Sequence, residues 1–189
     1  MYLSAAGHDS YPEAADEALA ERAAGDFEAF EELYRRYLPP IYRFVRSQVR
    51  DDATAEDITA HIFFRALASA ASFRSDGSYK SWIFRIAHNS IVSWRKRSDR
   101  SKPVEEIPDH PDPDPSPALQ AVARDTSGRI WDRVEQLPPA QREVVTLLYG
   151  EDLTIEETAR VTRRTRGAVR ILLHRARRRL RHSFEREEL

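Results

Sequence analysis

Apolar residues recur along this chain at three- and four-residue spacing and nowhere alternate in a sustained period of two, which predicts an all-α fold. In FEAFEELYRRY, residues 27–37, the side chains Phe27, Phe30, Leu33, Tyr34 and Tyr37 share one stripe, and Asp26 precedes them as an N-cap. Pro39 and Pro40 predict a kink or break before IYRFVRSQV resumes. Residues 51–54 give a turn and cap, and AEDITAHIFFRALASA follows with Ile58, Ile62, Phe63 and either Leu67 or Ala66 inward. ASFRSDGSY then interrupts as a loop. In the next helix, YKSWIFRIAHNSIVSWRKR, a rotation of about 100° per residue puts Tyr79, Ile83, Ile86, Ala87, Ser90 and Trp94 on one face. Ser81, Arg85, His88, Asn89, Arg95 and Lys96 fall on the opposite face.

Residues 98–118 hold six prolines among repeated Asp and too little apolar surface to order themselves, so they read as a linker. A second helical unit follows: LQAVARDTSGRIWDRVEQL, a stop at Leu137-Pro138-Pro139, and AQREVVTLLYG with Gly150 as a C-terminal cap. Thr154 and Glu157 have capping-box spacing and open the short helix IEETARV. Residues 163–166 make a turn into GAVRILLHRARRRLRHSF, where Val169, Leu172 or Leu173, Ala176 and Leu180 supply the packing stripe. The helices at 155–161 and 167–183 thus have helix-turn-helix spacing with a basic second member.

Composition adds limits. The chain has 189 residues, enough for one ordinary domain or two small ones, and no Cys, which excludes disulfides, thiolate nucleophiles and Cys-ligated zinc. The N-terminus carries acids where a signal peptide needs a basic start, and no stretch approaches the roughly 20 apolar residues of a membrane span. A soluble, cytoplasmic protein without membrane insertion is the expectation. No His pair has metal-ligand spacing beside carboxylates, no Gly-rich phosphate loop occurs, and no cofactor is expected.

Net charge is −1, but the charge lies in blocks. Residues 1–32 hold nine acids and one base; 61–102 hold nine bases and two acids; 103–118 hold five acids and no base; 163–182 hold nine Arg and no acid. Two basic blocks of single sign are the footprint of a chain that meets phosphate in two places. In the last helix Arg166, Arg170, His174, Arg177, Arg178 and Arg181 face away from the packing stripe, suited to guanine edges and phosphates, or alternatively to an acidic protein partner. Residues 73–96 combine Phe73, Tyr79, Trp82 and Phe84 with Arg74, Lys80, Arg85, Arg95 and Lys96. Aromatic platforms flanked by cations suit unstacked bases of a single strand, although Trp82 or Phe84 could equally be core.

These motifs, in this order, resemble an extracytoplasmic-function sigma factor of bacterial RNA polymerase. The first half is similar along FEELYRRY, DDATAEDI and SFRSDGSYKSWIFRIAHN; the second along LPPAQREVVTLLY, LTIEETARV and GAVRILLHRARRRLR. The resemblance implies a dissociable polymerase subunit that selects promoters, nucleates strand opening and catalyses no reaction. It divides the chain into an acidic arm at 1–25, a region 2-like domain at 26–98, a linker at 99–118 and a region 4-like domain at 119–189. It assigns minus-10 contacts to Phe73, Arg74, Asp76, Ser78, Tyr79, Lys80 and Trp82 in the loop and helix start, and to Arg85, His88, Asn89, Arg95 and Lys96 along the helix. Minus-35 contacts fall to Thr165, Arg166, Gly167, Arg170, Ile171, His174, Arg175 and Arg178, and core-polymerase contacts to Asp57, Ile58, His61 and Phe64. Implied partners are core polymerase, through its beta-prime clamp helices and beta flap, promoter DNA both double-stranded and melted, and an anti-sigma factor.

The chain departs from the family pattern in three places. Ala60 and His61 stand where Gln-Glu is usual, Thr162-Arg163-Arg164 where the turn commonly reads Leu-Gly-Ile, and Ile171 and Leu172 where a Ser-Arg pair is frequent. An Arg at a turn position that favours Gly predicts backbone strain. The acidic first 25 residues read as a regulatory arm or, more commonly for such a segment, a loosely ordered tail. The rival function is a helix-turn-helix regulator that binds operators as a dimer without polymerase; it leaves the aromatic-basic loop unused.

Overall fold

The computed structural model describes residues 11–49, 51–74, 77–100 and 128–185, and among these every regular element is helical. The acidic N-terminal stretch, over its described part, is docked rather than loose. A 3-10 turn at Tyr11–Glu13 leads into α1, Asp16–Arg22. The Asp16 carboxylate accepts from Arg36 and from the Tyr37 hydroxyl, each at 2.5 Å, while Arg36 also donates to the Ala14 and Tyr11 carbonyls, each at 2.8 Å. Leu19 and Ala20 are buried beneath these contacts. Strong hydrogen bonds between charged groups and backbone thus fix a segment whose composition alone suggests disorder.

Helix α2, Phe27–Gln48, starts where the sequence requires: the Asp26 carboxylate accepts from Ala29 N at 3.1 Å. It runs through Pro39 and Pro40 without a break, contrary to the expectation above. The two prolines forfeit the amide donors that would reach the carbonyls of residues 35 and 36, at about 3 kcal/mol or more for an interior proline. Burial of Tyr37, Ile41, Tyr42, Phe44 and Val45 on both sides of them offsets this at roughly 1.5–3 kcal/mol per large apolar side chain. The stripe divides differently from its periodicity: Phe30, Leu33 and Tyr37 are buried, whereas Phe27 and Tyr34 are exposed.

Helix α3, Asp52–Ala68, is capped by Asp51, which accepts from Thr54 N at 3.0 Å. Ile58, Ile62, Phe63 and Ala66 face inward, so Ala66 rather than Leu67 fills the core position. After a 3-10 turn at Ala70–Ser72 comes α4, Tyr79–Arg100. It buries Tyr79, Ile83, Ala87 and Ser90 as its periodicity requires, together with Phe84 and Ile91, and it also buries His88 from what reads as the solvent face. The reason is a second covering layer, described next. The linker segment of the sequence reading lies almost wholly outside the described residues.

The second unit consists of α5, Gly128–Glu135; α6, Pro139–Val145, prolonged by a π turn at Thr146–Gly150; α7, Ile155–Thr162; and α8, Arg166–Glu185. Its own core gathers Val134, Leu137, Val144, Val145, Ala159, Val169, Leu173 and Ala176. Gly150 does not serve as a left-handed cap, since no glycine among the described residues has positive φ. A Cβ there would lie 3.0 Å from the Trp131 ring, so the missing side chain admits close approach of α5 instead. Leu147, Leu153 and Val161 join the first unit's core together with Ile83 and Phe84, so the two units share buried apolar surface.

Candidate nucleic-acid interface

The helix-turn-helix is built as its sequence specifies. The Thr154 hydroxyl accepts from Glu157 N at 3.1 Å and the Glu157 carboxylate accepts from Thr154 N at 2.9 Å, closing both arms of a capping box. Arg163 ends α7 with φ 53 and ψ 39, the left-handed conformation that glycine adopts freely and that costs an L-residue about 1–2 kcal/mol. Arg164, where an apolar residue is usual, instead donates to Glu143 at 2.8 Å. Thr165 then starts α8 by accepting from Ala168 N at 3.1 Å, so its hydroxyl has a capping role.

On α8 the packing stripe settles on Val169, Leu173 and Ala176, with Leu172 and Leu180 partly buried. Thr165, Arg166, Gly167, Arg170, Ile171, His174, Arg175 and Arg178 are all exposed. Arg166 meets Glu156 at 3.6 Å, an exposed pair of little energetic weight. The chain therefore presents a cationic helix face with its side chains free to enter a groove.

The first unit brings Phe73, Tyr79 and Trp82 into one aromatic cluster, with ring centroids 5.5–5.7 Å apart. Within it the roles separate. Phe73 and Trp82 are half-buried, while Tyr79 is buried and its hydroxyl has no hydrogen-bond partner among the described residues. Tyr79 therefore supports the platform rather than forming its surface, and burial pushes its phenol well above the ordinary range. Glu17 of α1 accepts from Tyr79 N at 3.2 Å, tying the N-terminus of α4 to the acidic arm. Ser78, Arg74 and Arg85 rim the same recess; Asp76 lies outside the described residues.

Farther along α4, Lys80 and Asn89 are half-buried and Lys96 is exposed. Arg95 is turned inward to donate to the Gln48 carbonyl and side-chain oxygen at 3.2 and 3.0 Å. His88 departs furthest from its expected position on the free face. It is buried, and its Nδ1–H donates to Glu143 at 2.6 Å. Burial pushes the Glu143 carboxyl up, but the His88 hydrogen bond and the Arg164 guanidinium outweigh that and hold it below the usual carboxylate range.

On α3, Asp57 and His61 are exposed and Phe64 is 69% exposed, whereas Ile58 is buried at 6% and serves the core rather than a partner. Sequence periodicity missed Leu67, Phe27 and Tyr34 as exposed apolar side chains. Tyr34 packs edge-on against Phe63 at 4.7 Å, which sets this part of α2 beside α3. The signal for Phe27 and Tyr34 was an overfull stripe: of the five large residues spaced along 27–37, three are buried and two are left outside.

The comparisons with known proteins agree with this arrangement. Residues 33–101 match the family model described as Sigma-70 region 2, and residues 127–180 that described as Sigma-70, region 4. The chain is similar to the ECF RNA polymerase sigma factor BldN of Streptomyces coelicolor, 36% identical over 162 residues, which cover 84% of this chain and 61% of BldN. It is similar to the ECF RNA polymerase sigma factor SigD of Mycobacterium tuberculosis, 30% identical over 172 residues, covering 87% of this chain and 81% of SigD. The fold is that of CnrH in its solved complex with the cytosolic domain of CnrY, with a TM-score of 0.67 at 24% identity, covering 91% of this chain and 98% of that one. Two sigma-70 regions in their proper order, and a relative matched over four-fifths of its length, place this chain in the family of ECF RNA polymerase sigma factors.

Proposed function

We propose that this protein binds core RNA polymerase, recognises minus-35 and minus-10 promoter elements, and promotes strand opening without catalysing a reaction itself. What carries the reading is one chain holding an aromatic-cationic recess at Phe73 and Trp82 within residues 33–101 and an exposed arginine face on α8 within 127–180. In this reading the region 2-like domain spans 26–98, the linker 99–118 and the region 4-like domain 119–189.

Each surface has a task suited to its chemistry. The exposed residues of α8 read the minus-35 major groove, where a bidentate Arg contact is worth about 1–3 kcal/mol of discrimination per base. The recess takes an unstacked base of the minus-10 strand, with Phe73 and Trp82 stacking while Arg74, Arg85 and Lys96 hold the backbone; stacking of about 1–3 kcal/mol per base offsets the few kcal/mol of unstacking. Phe64, Leu67, Phe27 and Tyr34 form the apolar centre of the contact with the polymerase clamp helices, with Asp57 and His61 at its edge. The region 4-like domain meets the beta flap. An anti-sigma factor is a further partner, as the CnrH complex with CnrY suggests by analogy. No helix among the described residues is long and apolar enough to cross a membrane, in keeping with work in the cytoplasm.

The test is co-elution of the purified chain with bacterial core polymerase, followed by run-off transcription. Stoichiometric association and template-dependent transcripts support the reading. A dimer that binds duplex DNA and ignores an active cognate core overturns it in favour of a self-sufficient regulator.

A further inference from the structure

Helix α8 turns Val169, Leu173 and Ala176 into the second unit's core. At about 100° of rotation per residue, the line opposite that stripe runs through Gly167, Ile171, His174 and Arg178. Ile171 is 55% exposed and belongs to neither core cluster. Among the described residues it is the one exposed large apolar side chain of α8, and the exposed Arg170 and Arg175 flank it on either side. The block it interrupts, residues 163–182, holds nine Arg and no acid. An isoleucine at the centre of a cationic face adds nothing to the attraction for phosphate, so its chemistry has to be accounted for separately.

Gly167 sits one turn before Ile171 on the same face. Its φ is not positive, and outside its own helix a Cβ there would meet only the Thr165 hydroxyl oxygen, at 3.9 Å. Neither backbone conformation nor packing within the chain therefore calls for glycine at this position. The missing side chain leaves bare backbone beside Ile171, which lets a flat group approach the helix closely. Ile171 itself is pre-set, because a β-branched side chain in a helix keeps essentially one χ1 rotamer. It is also the sixth residue of α8, within the N-terminal half where a recognition helix meets base edges.

The base edges in a major groove present hydrogen-bond donors, acceptors and one apolar group, the C5-methyl of thymine. Ile171 can make no hydrogen bond. Pressed against any other edge it would strip water from a donor or acceptor and put nothing in its place. Against the thymine methyl it removes apolar surface from water on both sides. We propose that Ile171 reads the methyl of one thymine in the minus-35 element, with the bare backbone at Gly167 letting that base edge come close. The proposal rests on the major-groove reading of α8 and adds a letter to it. The arginines supply phosphate and guanine contacts, and Ile171 makes one position demand a 5-methylpyrimidine.

The probe is the upstream element selected from a random duplex pool by the full chain assembled with core polymerase. Each thymine of that element is then replaced singly by deoxyuridine, which removes the methyl and keeps the base pair. At one thymine the wild type should lose about four-fold in affinity, the worth of one buried methyl. Ile171→Ala changes an exposed position that folding does not depend on, and should bind the thymine and uracil duplexes alike. At the same position the wild type, but not Ile171→Ala, should prefer 5-methylcytosine to cytosine. An element without thymine overturns the proposal. So does an element indifferent to every methyl, the result that Ile171 packed on a deoxyribose would give, and so does a methyl effect that persists in Ile171→Ala. A selection that yields no shared sequence overturns the α8 reading itself and the proposal with it, whereas a shared sequence without methyl dependence strikes the proposal alone.

Discussion

The His88 ring donates to the Glu143 carboxylate at 2.6 Å across 55 positions of sequence, with both side chains buried at the contact between the two helical units. Arg164 completes the arrangement from the second unit's own turn, so one carboxylate serves the helix-turn-helix and the cover over α4 together. A buried carboxylate with two charge-assisted donors is costly to remove because the donors are left without an acceptor.

Glu143→Ala is therefore expected to cost about 3 kcal/mol, most of it from the stranded His88 and Arg164 donors. Differential scanning calorimetry should show a melting temperature lowered by several degrees, with faster amide exchange in both α4 and α6. A change confined to α6 would mean that the contact with His88 contributes nothing. Glu143 is held below its ordinary range, so its stabilising contribution is present above the unfolded value of 4.5 and is lost as pH falls through the folded value.

Glu151 runs the other way. Burial raises its carboxyl to about 7, with Arg43 and Lys80 pulling it down and Asp152 pushing it up. The packed state therefore binds this proton more tightly than the unfolded chain, and stability falls as pH rises from the unfolded value of 4.5 through about 7, then levels off. The span amounts to roughly 3 kcal/mol. Thermal unfolding at about pH 5.5 and 8 should differ in that direction, and Glu151→Gln should shrink the difference. An undiminished difference in the variant would place the titrating group elsewhere.

Arg163 holds a left-handed backbone at the turn before α8 without a glycine's freedom. Arg163→Gly should raise stability by about 1 kcal/mol and the melting temperature by about 2–4 °C. A loss of stability would show that the arginine side chain contributes more than its backbone costs.

Phe64, 69% exposed, contributes little to folding, so Phe64→Ala should leave stability within about 0.5 kcal/mol of wild type. If it anchors the polymerase contact, titration against core polymerase should show affinity lower by about ten-fold or more. Unchanged affinity would move the contact away from α3.

Where local chemistry decides the structure, the sequence was a sufficient guide. Asp26, Asp51 and the Thr154–Glu157 pair cap the helices their positions predict, and the family resemblance marked Arg163 as an Arg where glycine is usual, the position that proves left-handed. The α8 stripe and its exposed cations followed from periodicity alone. Contacts between distant segments were not legible. His88 looked solvent-facing because Glu143 lies in another unit, and the prolines of α2 looked disruptive because the core residues that override them come from several helices. The acidic arm looked unstructured because its order depends on Arg36 and Tyr37, residues whose partners periodicity does not identify. The exposed apolar side chains of α2 were hidden for the opposite reason, since periodicity assigns every large apolar residue on a stripe to the core, and Phe27 and Tyr34 are not in it.

The central claim, that one chain reads two promoter elements for polymerase, is tested most directly by mapping transcript 5′ ends. Core polymerase would be combined with this protein on fragmented genomic DNA of the source organism, with wild type beside Arg170→Ala and Trp82→Ala. The account predicts discrete start sites preceded by two shared sequence elements at fixed spacing. It further predicts weaker dependence on the upstream element with Arg170→Ala and impaired opening at the downstream one with Trp82→Ala. Initiation without shared elements, or no initiation by a core that the protein demonstrably binds, would contradict it.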